Sequence, residues 1–555
     1  MLSSPSISSW RSRGVTALFS LDGSLDGGRR EGRPVVHWLS AIFGIDVRAL
    51  AAFRIGLAGI LLIDLWNRSY DLVAHYSDAG ILPRLARMEL YDHGAAQRWW
   101  WSLHMASGEV VFQLALFAVA AACAFGLLIG YRPRLMSLFS WILLVSLQNR
   151  NPMLLQGGDV LLRSLVLWSI FLPTGAVCSV DSAGVASGRG RPVRVLSGGT
   201  IALLLQVAFM YFFAACYKNS VYWTSDYSAV HYALSAEHFS KPLGVWLLQF
   251  PNLLRLLTWL TVQLEFFGPL LAFCPFFTSR LRLLVVPLFW CFHLSLALTM
   301  ALGLFSLISV VAWIPFLPTR FWDWLARRLP LPSWPESRVA LPRGIPALIG
   351  SFLALALITL AGLNSARTVP PPVRDWRVVA WAGNAVFPKC DSILNILRLD
   401  QDWQMFAPRP MTEDGWYEFR GELEDGSVVN LWHVGQPLPT TKPSNISAMS
   451  GGQRWRKYLV LVREPANIRH LPHFANWLIW RWEREHSEGD PLRMVKDIKI
   501  LIYVEPTSPP GNPPSKPRTV LLYHWTSPYV VQPPLPDDAA EDKANSDTTI
   551  ERPMP

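Results

Sequence analysis

Apolar residues along this chain fall in long unbroken runs rather than in the short alternations of a soluble domain. The clearest is 345–363, which carries no charged residue. At about 1.5 Å per residue it is long enough to cross a hydrocarbon core of about 30 Å. Further runs at 49–66, 110–129, 135–147, 160–172, 201–217, 253–277, 283–300 and 304–317 bring the expectation to nine membrane helices. Two of these, 135–147 and 304–317, are short, and 253–277 is interrupted by Arg255 and Glu265. The pattern changes after the linker Pro370-Pro371-Pro372. Runs of strand character at 416–423, 427–432, 458–462, 498–504 and 520–523, the first two joined by an Asp425-Gly426 turn, predict a small sheet. One amphipathic helix, 472–485, interrupts them and is expected to pack on it. The fold class is therefore a polytopic α-helical membrane protein with a C-terminal soluble, β-rich α+β domain. Its expected parts are an N-terminal tail (1–40), a helical membrane domain (41–320), a connector holding the last helix (321–372), the soluble domain (373–530) and a disordered tail (531–555).

Composition agrees with a membrane setting: 51% of residues are hydrophobic, 16% are charged and there are 26 tryptophans. The arginines give the orientation. Arg29, Arg30 and Arg33 precede the first run, and Arg132 and Arg134, then Arg189, Arg191 and Arg194, then Arg280 and Arg282, then Arg320, Arg327 and Arg328 fall in every second connection. The positive-inside rule then predicts a cytoplasmic N-terminus, and an odd number of spans puts the C-terminal domain outside. The net charge of +10 follows from this topology, so nucleic acid is not an expected partner. The stretch 15–21 is too weak an apolar core for a cleaved signal. Six cysteines form no CxxC pair, and neither a Walker loop, a GxGxxG nor an HExxH occurs, so no metal or nucleotide is expected.

With the sides assigned, one compartment collects most of the chemistry. The first outer loop contains Asp64, Asn67, Arg68 and the string Tyr76-Ser77-Asp78-Ala79-Gly80. The second contains Asn149-Arg150-Asn151-Pro152 and Gln156-Gly157-Gly158-Asp159, and the third Lys218, Trp223, Asp226, His231 and Glu237. Arg54, Arg163, Arg255, Glu265 and His293 sit inside apolar runs. A charge there costs about 2.5–3.5 kcal/mol, so these groups should face one another or a wet cavity. Arg54 suits a pair with Asp64 and Arg163 a set of loop carbonyls, whereas Glu265 and His293 at membrane depth suit proton handling. Lys218 ends the uncharged run 201–217, where low-dielectric surroundings make its charge costly. It reads either as a base or as an interfacial anchor that snorkels to the head groups.

Several of these strings, in this order, resemble the HTTM domain, the membrane module that bacterial proteins share with the vitamin K-dependent gamma-glutamyl carboxylase. They are Phe53-Arg54-Ile55-Gly56 with 76–83, Gly157-Gly158-Asp159 with Pro173, the stretch 211–218, and His293 with Gly303-Leu304-Phe305. The resemblance spans about residues 40–320, and Trp403-Gln404-Met405-Phe406-Ala407-Pro408 is similar to the opening of the outer domain in bacterial members. It implies a reduced vitamin K or menaquinol cofactor, used with O2 and CO2, and Lys218 as the base that starts the cycle. On this reading Lys218, Glu265 and His293 are catalytic. Asp78, Asn149, Asn151, Asp159 and Trp223 would line a substrate site at the outer face, for a lipid quinone and a peptide or small-molecule substrate. One departure is visible: the asparagine-histidine element of the carboxylases is matched here by Asn149-Arg150-Asn151-Pro152, and asparagine cannot shuttle a proton. A non-catalytic scaffold or carrier that presents the C-terminal domain outside remains the other expectation.

Overall fold

The protein was analysed as a computed structural model that describes residues 34–91, 99–183, 193–329, 339–443, 445–487, 489–513 and 515–528. Most of the 1–40 tail, the whole 531–555 tail, and Arg29, Arg30, Arg33, Arg189 and Arg191 lie outside the described residues. Each of the nine apolar runs is helical: α1 (Val47–Ser69), α2 (Val110–Ile129), α3 (Pro133–Arg150), α4 (Gly157–Ile170), α5 (Gly198–Tyr217), α6 (Pro251–Ala272), α7 (Thr278–Thr299), α8 (Phe305–Trp313) and α9 (Ile345–Thr368). Five of them, α1, α2, α5, α7 and α9, are long and apolar enough to cross a membrane. A sixth span is reached if Phe305–Phe316 and Thr319–Ala326, which meet at 96°, count as one. The structure therefore supports a membrane-embedded helical protein with five or six such helices among the described residues, not the expected nine. The shortfall of four has two physical sources: α4 has 14 residues and α8 has 9, too short for a hydrocarbon core, whereas α3 with 18 and α6 with 22 are long enough but less apolar, α3 holding Arg134 and Arg150 and α6 holding Arg255 and Glu265.

Helix α5 runs through the middle of the bundle. Leu203, Leu204, Val207, Met210 and Tyr211 are buried on it, and α4, α6 and α9 pack around it. By contrast α2 exposes Val111, Leu114, Val119 and Phe125, and α7 exposes Leu284, Leu288, Leu294 and Leu298. Such apolar faces suit lipid contact. A three-stranded clip of two-residue strands fixes one end of the bundle. Ile45–Asp46 pairs antiparallel with Arg194–Val195, which pairs parallel with Val339–Ala340. These segments lead into α1, α5 and α9, so three helices start at one end. Arg194 precedes α5 and Lys218 follows it, so the two lie a helix length apart, about 30 Å.

The C-terminal sheet has the order β2-β1-β3-β4, with β1 (Glu413–Leu423), β2 (Val428–Asn430), β3 (Val495–Pro506) and β4 (Arg518–Thr526), all antiparallel. Gly426 at φ +83° makes the expected turn between β1 and β2. Helices α10 (Gln453–Val462) and α11 (Leu471–His486) cover the sheet. The run 458–462 is thus a helix, not a strand. Trp455, Tyr458, Leu459 and Val462 are its buried apolar positions, and this i, i+3, i+4, i+7 spacing outweighs the strand propensity of the residues. The change of packing also falls later than the proline linker. Val379, Ala382, Phe387, Leu394 and Trp403 belong to the bundle's core, so residues 373–407 pack with the membrane domain.

Candidate functional site

The C-terminal cap of α5 is Lys218, whose N–H donates to the Ala215 carbonyl. Its side chain turns back along the helix instead of reaching outwards. Nζ donates to the Ala214 carbonyl at 3.2 Å and to Glu265 Oε2 on α6 at 2.5 Å. Lys218 and Glu265 are each 4% exposed, so Lys218 is not a snorkelling anchor. An ammonium has three N–H donors and two are used here, which leaves one without an acceptor among the described residues. The ring of Trp223 lies 5.0 Å from Nζ, within cation–π reach of about 6 Å. Trp223 is fixed in turn by its indole N–H, which donates to the Phe406 carbonyl at 3.1 Å. Three of the expected site residues, Lys218, Glu265 and Trp223, are therefore in contact.

His293 belongs to a neighbouring cluster. Its Nε2 lies 2.5 Å from the Tyr211 hydroxyl, which also accepts from Trp313 Nε1 at 3.1 Å. The indole can only donate, so the Tyr211 oxygen accepts from Trp313 and shares a second hydrogen bond with His293 Nε2. His293 Nδ1 is buried without a partner. Tyr211 and Lys218 are seven residues apart on one face of α5, about 10 Å along the axis. No hydrogen bond or ion pair joins His293 to Lys218 or Glu265 among the described residues.

The remaining expected residues are occupied elsewhere. Asp159 accepts from Arg68 at 2.6 Å and from Arg454 at 2.6 and 2.9 Å, while Asp64 accepts from the same two arginines at 2.7 and 2.8 Å. Arg68 also donates to the Tyr76 hydroxyl at 2.7 Å. Two carboxylates and two guanidiniums thus form a closed buried tetrad, and Arg454 on α10 ties the soluble domain to the bundle. Next to it His75 packs on Trp455 with ring centroids 4.4 Å apart. Burial, with Arg454 and Arg68 nearby, pushes its imidazole down to about 3. Asn149 donates to the Trp101 carbonyl at 2.7 Å and accepts from Arg398; Asn151 donates to the His75 carbonyl at 3.0 Å and caps the turn that follows it. Asp78 pairs with Arg84 at 2.8 Å and is half-exposed. Arg54 does not meet Asp64; it donates to the carbonyls of Leu127, Leu128, Thr174 and Cys178. Arg163 does reach loop carbonyls, those of Arg398 and Asp400, at 3.0 and 2.7 Å.

No family model, curated protein or solved structure matches this chain. The site therefore has to be read from its own geometry.

Two clefts accompany it, and neither is lined by Lys218, Glu265 or His293. One, between α1, α2 and α3, is walled by leucines with Asp64 and His104. The other lies where the loop after α5 meets the soluble domain, and His238, Asp414, Trp416, Trp432 and Arg456 line it. Sequence reasoning missed Arg454 and the pair His238–Asp414, because each partner is more than a hundred residues away in the chain. The part of the tetrad that could be read was the Asp64–Arg68 spacing of four on a helix.

Proposed function

We propose that the chain is a membrane enzyme of the quinol-linked, carboxylase-like kind, in which Lys218 is the base and Glu265 its proton partner. The observation that carries this reading is the buried Lys218–Glu265 pair, 2.5 Å apart at the end of an apolar helix. In such surroundings the ionised pair has little hydration to favour it, so moving the proton from Nζ to the carboxylate yields a neutral amine and a neutral acid. The amine is then free to take a proton from a hydroxyl brought beside it, and Glu265 holds the first proton meanwhile. The groups that would meet a hydroquinone are the aromatic face of Trp223 and the one Nζ–H that has no acceptor among the described residues. When bound, the hydroquinone would supply reducing electrons and an acidic hydroxyl. On this proposal the N-terminus lies in the cytoplasm and the C-terminal domain outside, supported by the alternation of the basic connections, and a bacterial inner membrane is what the resemblance implies.

Membranes containing the protein, incubated with menaquinol, oxygen and labelled bicarbonate, test this. Quinol oxidation that disappears in Lys218→Ala is the expected result, and label entering protein would add carboxylation. Full turnover by Lys218→Ala would remove the assignment. A second reading, a scaffold that holds the soluble domain at the membrane, is favoured by the tetrad, which clamps that domain and consumes Asp159. Folded protein with no quinol turnover in any arm would select it.

A further inference from the structure

The end of the bundle that carries the strand clip lies about a helix length from Lys218, and the role proposed for that residue does not explain its surface. Three contacts gather loops there. Near the start of α1, Arg54 donates to the Leu127 and Leu128 carbonyls at 2.7 and 2.6 Å, which fixes the end of α2 and the turn into α3 beside the clip. Arg282 ties the connection between α6 and α7 to the same end, through the Ala272 carbonyl at 2.9 Å and the Ile42 carbonyl. Arg48 pairs with Asp323 at 2.8 Å and so holds Thr319–Ala326, the helix that turns by 96° from the one before it.

Each of these three loops sets an exposed arginine against an exposed ring. Arg132 lies 5.7 Å from the centre of Tyr131, Arg280 5.7 Å from that of Phe277, and Arg328 4.3 Å from that of Trp324, all within cation–π reach of about 6 Å. Among the described residues none of the three has an ion pair, and the one hydrogen bond their side chains make is from Arg328 to the Trp324 carbonyl at 3.4 Å. Arg320 and Arg327 are exposed on the same short helix. The acids described at this end are already engaged: Asp46 and Asp323 by Arg48, and Asp181 by the Arg132 backbone N–H at 2.9 Å. The surface is left positive. Its rings identify the occupant. Phe276 and Phe277 are 73% and 71% exposed, and they continue the apolar surface that Leu270 and Leu271 on α6 and Leu284 on α7 turn outwards. At the edge of such a surface an aromatic ring suits the depth of the head groups, and an arginine lying along that ring can place its guanidinium among phosphates. An acidic protein would use the charges and leave the rings in water, whereas a phospholipid uses both.

We propose that this rim binds anionic phospholipid, with Tyr131, Phe277 and Trp324 at the depth of the head groups and Arg132, Arg280 and Arg328 on their phosphates. The probes are dansyl-labelled phosphatidylglycerol and phosphatidylcholine, titrated into the full chain in neutral detergent and followed by energy transfer from the tryptophans. Attraction of one arginine to an anionic surface corresponds to about fivefold in affinity, so phosphatidylglycerol should half-saturate at a concentration about tenfold or more below phosphatidylcholine. Raising the salt from about 0.05 to about 0.5 M should narrow that gap. Arg132→Gln/Arg280→Gln/Arg328→Gln should bring the two lipids to within a few-fold of each other, while thermal unfolding in lipid-free detergent stays that of the parent, because no ion pair is lost. The corresponding triple lysine variant keeps the charges and should keep the preference. A large excess of glycerophosphate, which has the phosphate without acyl chains, should not displace the lipid. Equal binding of the two lipids, a preference unchanged in the glutamine variant, or displacement by glycerophosphate would overturn the proposal. None of these readouts involves quinol turnover, so the fate of Lys218 and that of this rim are decided separately.

Discussion

The molecule buries charge in two places, and they are built differently. In the tetrad of Arg68, Arg454, Asp64 and Asp159, each carboxylate accepts from both arginines and the formal charges cancel. Lys218 and Glu265 form a single ion pair beside an aromatic ring, with Nζ also on the Ala214 carbonyl and one Nζ–H without an acceptor among the described residues. A network in which each carboxylate is bonded to two cations fixes geometry, because any movement breaks several charge-assisted bonds at once. An unsaturated pair between a basic amine and a carboxyl has a proton that can change owner. The first arrangement suits assembly and the second suits chemistry.

The largest effect should come from opening the tetrad. Arg454→Ala leaves two buried carboxylates to one cation, and removing one partner of a buried ionic network costs about 3–5 kcal/mol. Thermal unfolding in detergent should show that loss. Hydrogen exchange should show α10 and the 152–159 segment opening together, because Arg454 also holds the Leu154 carbonyl at 2.9 Å. Arg454→Lys should recover only part of the stability, since an ammonium cannot fork across two carboxylates. If Arg454→Ala unfolds like the parent, the tetrad is not the clamp.

The pair should respond less, because a carboxyl left alone can take up a proton and become neutral. Lys218→Met is expected to cost about 1–3 kcal/mol, the range for one buried polar group without its partner. The double variant Lys218→Met/Glu265→Leu should be more stable than either single one, since a buried ion pair is often replaced by apolar residues with little loss. Stability and turnover then separate: the double variant unfolds like the parent and oxidises no quinol. A double variant that keeps turnover would make the pair structural only.

How much of this contrast can be read in the sequence depends on distance along the chain. The apolar runs are legible because a helix that faces lipid needs a continuous stretch, and all nine runs are helices. Lys218 at the edge of such a stretch, and Glu265 inside one, stand out as charges that need an explanation. Their pairing does not, because α6 could have turned another face to α5. Asp78, Asn149, Asn151 and Asp159 read as one site, yet each is taken by a different partner. Polar residues near helix ends are recruited first for caps and loop carbonyls, since the backbone groups there have no helical partner. The cleft was invisible for a further reason: His238 and Asp414 are ordinary residues until folding places them 2.5 Å apart.

A smaller effect separates the cleft from both charge clusters through pH. The Asp414 carboxyl is depressed in the folded protein by its His238 bond, against the opposing effect of burial. A group whose folded value lies below its unfolded value, about 3.9 for aspartate, adds stability above the unfolded value and loses it as pH falls through the folded one. Melting temperature should therefore drop below about pH 4 more steeply in the parent than in Asp414→Asn. Identical pH profiles for the two would show that the bond is not formed in solution.

The smallest effect should come from Asp78 and Arg84, an ion pair that, unlike the other two clusters, is open to water. The two side chains are 38% and 34% exposed, which is why the contact at 2.8 Å is worth little. Arg84→Ala should cost no more than about 1 kcal/mol, the upper end for exposed pairs. Salt sharpens the distinction. Raising ionic strength from about 0.05 to about 0.5 M shortens the screening length to a few ångströms and should erase this difference. The Arg454→Ala difference should persist under the same change, because ions do not enter a buried network. If both differences vanish in salt, the tetrad is wet and the contrast between a sealed clamp and a reactive pair fails. If neither changes, Asp78 is more sheltered than its exposure indicates, and its place in a substrate site would have to be reopened.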